Sequence, residues 1–238
     1  MKNGKIPAEY FFSNRNTIGV LEVEKYFTNN ISVFLAFFAY RLGLSANALS
    51  IAGALCAVLA FVVAGVLPAD EPVFSVISIG MICQTAFLID CADGQLARAT
   101  GTASRYGMFI DHALDAVSCP LQLGGFFFYA YRHFMHAGDT VQADIFLLAG
   151  FILILSTMAR FFAWQLFIHV LMDRYEKTKK ADNYFTVFVK NLVDHQVSII
   201  AVFVFVLSPV ASLVLFILQY SLRFLAYVMY LRRARPDA

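Results

Sequence analysis

Apolar runs of bilayer length, separated by short polar breaks, organise this chain from residue 46 onward. A helix needs ~20 predominantly apolar residues to cross a hydrocarbon core. Six stretches meet that requirement: Ala46 to Leu67, Val73 to about Arg98, Ser104 or Arg105 to about His133, Val141 to Leu171, about Tyr184 to Leu207, and Ala211 to Leu231. Either Ser45 or Asn47 can cap the first of them. Pro68-Ala69-Asp70-Glu71-Pro72 ends the first, and Gly101-Thr102-Ala103-Ser104 turns the second into the third. Ser208-Pro209 separates the last two. These could instead form one broken or re-entrant unit, but ~24 and ~21 residues fit two crossings.

The pattern before residue 46 is different. Residues 1–17 are polar and mixed, without the continuous apolar core and small-residue cleavage site of a removable signal peptide. Ile18 to Gly43 carries Glu22, Glu24 and Lys25 in its first half, and its longest apolar run is the eight residues Val33 to Tyr40. We read it as an amphipathic juxtamembrane helix, with a short first span as the competing reading. The expected fold is all-α: a polytopic membrane protein with six transmembrane helices at 46–238, preceded at 1–45 by a cytoplasmic tail and that helix. Basic residues then sort to one side: Arg98 and Arg105 at the central turn, Arg174, Lys177, Lys179 and Lys180 in the later linker, and Arg232, Arg233 and Arg235 in the tail. Arg132 alone lies near the other side. The positive-inside rule makes the basic side cytoplasmic.

Composition agrees with the pattern. Hydrophobic residues make up 60% of the chain and charged ones 14%, against about 25% charged in soluble domains. A net charge of +2 gives no case for a nucleic-acid partner. Cys56, Cys83, Cys91 and Cys119 lie in or beside apolar segments without metal-ligand spacing and read as small buried hydrophobes.

Charge changes the picture at one place, residues 90–115. Asp90 and Asp93 are spaced i, i+3, and Asp111 and Asp115 i, i+4, so each pair shares one face of its helix. The intervening turn brings the two helix ends together. Four converging carboxylates in a partly dry site repel one another unless they share protons or bind cations. Oxygen ligands without Cys or a His cluster favour Mg²⁺, Mn²⁺ or Ca²⁺ over zinc, and two ions would clamp the oxygens of a phosphoryl displacement. Arg98 and Arg105 are placed for phosphate oxygens. Gly94 and Gly107 leave helix faces open to a bulky substrate. His112 adjoins Asp111 but is expected to face differently.

Asp90-x-x-Asp93-Gly94-x-x-Ala97-Arg98, eight residues, Gly107, three residues, Asp111, three residues and Asp115 resembles the signature of the CDP-alcohol phosphotransferases at every defined position. The resemblance implies transfer of a substituted phosphate from a CDP-linked alcohol to the hydroxyl of an acceptor alcohol, with release of CMP. It implies that Asp90, Asp93 and Asp111 bind Mg²⁺ or Mn²⁺, with two ions expected. By the same resemblance, Asp115 completes the acidic cluster and is the expected general base. Gly94, Ala97 and Gly107 form the nucleotide surface, with Arg98 near the diphosphate. Leu44-Ser45-Ala46-Asn47-Ala48-Leu49-Ser50 resembles the family's upstream Pro-Asn-x-Leu-Thr element, with Ala46 for the proline, Ser50 for the threonine and Asn47 preserved as a nucleotide contact. A homodimer and a bacterial or archaeal cell membrane are implied likewise. At least one substrate is expected to be lipidic, since a polar site lies at the ends of apolar spans.

Charged residues elsewhere within the spans are acceptor-binding candidates: Arg160, Lys190 and Arg223, together with Arg105. Lys190 and Asp194 could equally form an i, i+4 ion pair. The alternative from another class is a transporter for divalent metal or small solute, using the acidic cluster as a transit site.

Overall fold

The computed structural model describes residues 6–13, 28–170 and 195–233, and every regular element among them is a helix. In chain order these are α1 (Ala8–Ser13), α2 (Asn29–Arg41), α3 (Ala46–Val66), α4 (Pro72–Thr100), α5 (Arg105–His136), α6 (Thr140–Val170), α7 (His195–Val204) and α8 (Pro209–Arg233). Among the described residues, helices at Ala46–Val66, Pro72–Thr100 and Thr140–Phe162 are both long and apolar enough to cross a membrane, which makes this an integral membrane protein. α5 has 32 residues but mixes its apolar positions with the acidic motif. α7 covers only the later part of the expected fifth span, whose beginning lies outside the described residues.

Helix ends fall where the local chemistry supplies partners for terminal backbone groups. Ser45 caps α3, its Oγ accepting from the Ala48 N–H at 3.2 Å. Ser104 does the same for α5 through the Gly107 N–H at 3.0 Å. Asp139 caps α6 with one carboxylate oxygen on the Gln142 N–H at 3.0 Å and the other on the Gln142 side-chain amide at 2.9 Å. Ser208 caps α8, with Pro209 at the first helical position, where its missing N–H costs nothing. α2 ends when the Leu44 N–H bonds back to the Ala39 carbonyl at 3.0 Å. Its 13 residues rise ~20 Å, short of the ~30 Å hydrocarbon thickness.

The chain forms two compact units. The first joins Met1–Val62 to Met81–Gln122 and contains the whole acidic motif. Its core is a small-residue seam: Val33, Ala36 and Ala39 of α2 pack with Ala92 and Leu96 of α4, Leu49 of α3 and Phe11 of α1. Small side chains let these backbones approach closely, which is how helices associate where apolar burial gives no advantage over lipid. Phe34 and Phe38, on the other side of α2, remain 59% and 56% exposed.

The second unit joins Val63–Gly80 to Leu123–Ala238. Its core is aromatic, with Phe126, Phe127, Phe134, Phe146, Phe205 and Phe216 in edge-on and tilted contacts at centroid separations between 5.2 and 5.9 Å. Arg132 Nη1 donates to the carbonyls of Ala64 at 3.0 Å and Leu67 at 3.1 Å, so it closes the C-terminal end of α3.

Candidate metal centre and nucleotide pocket

Two helices and one turn build the site. Asp90 and Asp93 lie near the C-terminal end of α4, which stops at Gly101. Gly101 takes φ +69°, a left-handed conformation that any side chain would strain. Its N–H bonds to the Arg98 carbonyl at 3.3 Å, and the Thr102 N–H bonds to the Ala97 carbonyl at 2.9 Å. The chain reverses within a few residues, and α5 begins again under the Ser104 cap. Asp111 thereby returns to the face of α4 that holds Asp90 and Asp93.

One oxygen from each of Asp90, Asp93 and Asp111 lies within 4.8 Å of the others. Oxygens that share one Mg²⁺ at ~2.1 Å sit about 3–4 Å apart, so a small side-chain contraction would complete the set. Hard carboxylate donors at this spacing fit a hard divalent cation and do not fit a soft one. This is the one such cluster among the described residues. Asp93 is 5% exposed, and the hydroxyl of buried Ser50, on α3, donates to its carboxylate. Asp115, one turn beyond Asp111, stands outside the three-residue cluster.

A cavity of about 790 Å³ opens beside these carboxylates. Of the residues singled out from the sequence, Asn47, Asp93, Gly94, Ala97, Arg98, Arg105, Gly107 and Asp111 line it, and Asp90 and Asp115 do not. Since Ser45 takes the cap of α3, the Asn47 amide is left exposed to this cavity. Arg98 lies across the face of Gly94: a Cβ there would come within 3.1 Å of its Nη1. The bare helix face therefore accommodates a guanidinium at the cavity wall, the fork-shaped donor suited to phosphate oxygens.

The structure adds detail to the sequence reading at three places. His112 Nδ1 approaches Asp111 Oδ2 to 3.8 Å, so the two side chains bend towards each other although their Cβ atoms diverge. Ser50, which in sequence stands only where the family element has threonine, is the hydrogen-bond donor to Asp93 in the structure. Nothing local signals that contact, because it joins residues 43 apart in sequence. Arg160 and Arg223 lie in the second unit, each over a neighbouring ring: Phe161 at 4.6 Å and Tyr220 at 5.0 Å. Arg223 is 8% exposed. Lys190 and Asp194 lie outside the described residues.

Residues 43–230 match the model of the CDP-alcohol phosphatidyltransferase family, a range that includes both α3 and the whole aspartate signature. No curated protein matches the chain. The acidic cluster and the match agree on the chemistry, a metal-dependent CDP-alcohol phosphotransferase reaction. Since the match takes in most of the sequence and three of the four signature aspartates meet beside one cavity, this membrane enzyme belongs to the CDP-alcohol phosphatidyltransferase family.

Proposed function

We propose that the cavity beside Asp93 takes the cytidine diphosphate part of a CDP-alcohol, and that an acceptor alcohol meets it at the carboxylates. The observation that carries this reading is the adjacency of the three-aspartate cluster to a cavity lined by Asn47, Gly94 and Arg98. Asn47 offers an amide to the nucleotide, and Gly94, Ala97 and Gly107 offer a surface low enough for it to lie against. Arg98 holds the diphosphate, and Arg105 takes the remaining phosphate charge or that of the acceptor. Arg160, Lys190 and Arg223 are further candidates for the acceptor.

Asp90, Asp93 and Asp111 would hold a divalent cation, and with Asp115 two ions. Such ions, when bound, polarise the diphosphate and offset charge on the departing CMP. Asp115 removes the proton from the acceptor hydroxyl. The acceptor oxygen forms a bond to the phosphorus distal to cytidine, the bridging P–O bond breaks, and its electron pair leaves with CMP. Ser50 keeps Asp93 aimed at its partners throughout.

The wider assembly follows the same reading. Residues 1–45 form a cytoplasmic tail and juxtamembrane helix, and residues 46–238 a six-span catalytic domain in a bacterial or archaeal cell membrane. The site faces the cytoplasm, at least one substrate arrives from the lipid, and the enzyme is a homodimer, in a pathway making a phospholipid or related phosphodiester.

Purified protein with Mg²⁺ and a panel of CDP-alcohols and acceptors should release CMP. Asp115→Asn should lower that rate by about 10²–10⁴, the usual contribution of a positioned base, while leaving Mg²⁺-dependent thermal stabilisation in place. Metal flux into proteoliposomes with no CMP release from any pair would overturn the reading.

A further inference from the structure

The face of α4 opposite the metal cluster carries a second polar group. Gln95 stands two residues after Asp93, about 200° round the helix from it, and so points away from the cavity. It is 6% exposed. It meets the first turn of α2, where Asn29 is 5% exposed and Ser32 fully buried. The Gln95 amide nitrogen donates to the Ser32 hydroxyl and to the Asn29 carbonyl at 3.4 Å. The Ser32 hydroxyl in turn donates to that same carbonyl at 3.3 Å. Since a hydroxyl both donates and accepts, the link from Gln95 to Ser32 survives either orientation of the amide.

Polar groups are an unusual choice at this contact. Their neighbours across the α2–α4 seam are Val33, Ala36, Ala39, Ala92 and Leu96. The arrangement also leaves two atoms buried with no hydrogen-bond partner, Gln95 Oε1 and Asn29 Nδ2. An apolar side chain at position 95 would pack against the same seam without stranding a buried oxygen there. Native interiors hold few such atoms, and a polar contact kept at that cost selects one geometry over its neighbours. α4 has Asp93 on one side, bonded to Ser50, and Gln95 on the other, bonded to Ser32. A rotation or slide of α4 that spoiled one grip would spoil the other.

We propose that Gln95 is a positioning residue, keyed into the first turn of α2 so that α4 holds Asp93 at the rotation the metal cluster requires. This rests on the metal-dependent reading above and extends it to a contact that touches neither metal nor substrate. α2 thereby becomes part of the catalytic apparatus through its grip on α4.

The test uses the full chain in detergent, with Mg²⁺ as probe. The first readout is the Mg²⁺ concentration giving half-maximal thermal stabilisation, and the second is the kcat and KM of CMP release. Gln95→Met keeps the length of the side chain and removes its hydrogen bonds. It should raise the Mg²⁺ midpoint about fivefold, the equilibrium size of one net hydrogen bond, and lower kcat more than it changes KM for the CDP-alcohol. Ser32→Ala should shift the midpoint in the same direction, and the double variant should be no worse than Gln95→Met alone. A residue that merely stabilised the fold would lower the melting temperature and leave the Mg²⁺ midpoint where it was. That result in both single variants overturns the proposal. If Gln95→Met does not yield folded protein, Ser32→Ala decides alone, since it deletes a single buried oxygen. Native protein stabilised by Mg²⁺ but releasing no CMP would defeat the proposed function and leave the positioning test standing. Active native protein with unshifted variants would defeat the positioning role alone.

Discussion

Asp93 shows how much of a catalytic carboxylate's behaviour is set by residues that do no chemistry. It is nearly buried, it shares the cluster with two like charges, and its one hydroxyl partner comes from another helix. Hydrogen bonds to charged groups are worth ~1.5–3 kcal/mol, and a buried carboxylate that loses its donor bears the cost of desolvation uncompensated. Ser50→Ala should therefore weaken kcat/KM for CMP release by about ten- to hundredfold. Ser50→Thr should restore most of it, because the hydroxyl is kept. An alanine variant with native kcat/KM would remove Ser50 from the site. The aspartate spacing was legible in the sequence because helical periodicity is local: i, i+3 and i, i+4 pairs face together wherever the helix lies. The Ser50 contact was not, since it depends on how α3 packs on α4. The capping of α3 sits between these cases. Ser45 and Asn47 were both chemically able, and only the geometry assigned the cap to Ser45 and released Asn47 to the cavity.

Among the elements, punctuation was easier to read than packing. Gly101, Ser104 and Pro209 each fix a helix boundary through backbone chemistry that travels with the residue, and the described helices begin and end near them. The closeness of approach between helices leaves no such mark. Gly150 of α6 reads in sequence as one more small residue in an apolar span. In the structure a Cβ there would stand 2.6 Å from the Cβ of Phe127 on α5, too close for any real pair of atoms. The obstruction is the stem of the phenylalanine, not its mobile ring, so the helices must separate to admit it. Gly150→Ala should lower stability by about 1–3 kcal/mol, read as a fall in melting temperature in detergent. Its effect on the Mg²⁺ midpoint should be small, because Gly150 and Phe127 belong to the unit without the acidic cluster. A variant as stable as the native chain would show that the α5–α6 contact is looser than described.

At the scale of the whole molecule, orientation decides which compartment supplies the substrates. The proposed orientation, drawn from the positive-inside rule, puts the α4–α5 turn on the cytoplasmic side. The exception, Arg132, is occupied in holding the carbonyls of Ala64 and Leu67 at the end of α3. That contact has a topological consequence. It brings the C-terminal end of α3 to the C-terminal part of α5, as expected if alternate spans run in the same direction. The Ser50–Asp93 bond joins the start of α3 to the end of α4, as expected if successive spans run oppositely. Thr102, in the turn between α4 and α5, and Asp70, between α3 and α4, are both exposed and should then lie on opposite faces of the membrane. Cysteines placed singly at these positions, in a background with Cys56, Cys83, Cys91 and Cys119 replaced, report the side directly. A membrane-impermeant maleimide should label Thr102→Cys in inside-out vesicles and Asp70→Cys in right-side-out ones. The reverse pattern would turn the site outward, away from cytoplasmic CDP-alcohols. Labelling of both from one face would instead break the alternation of α3 and α4 on which the six-span reading depends.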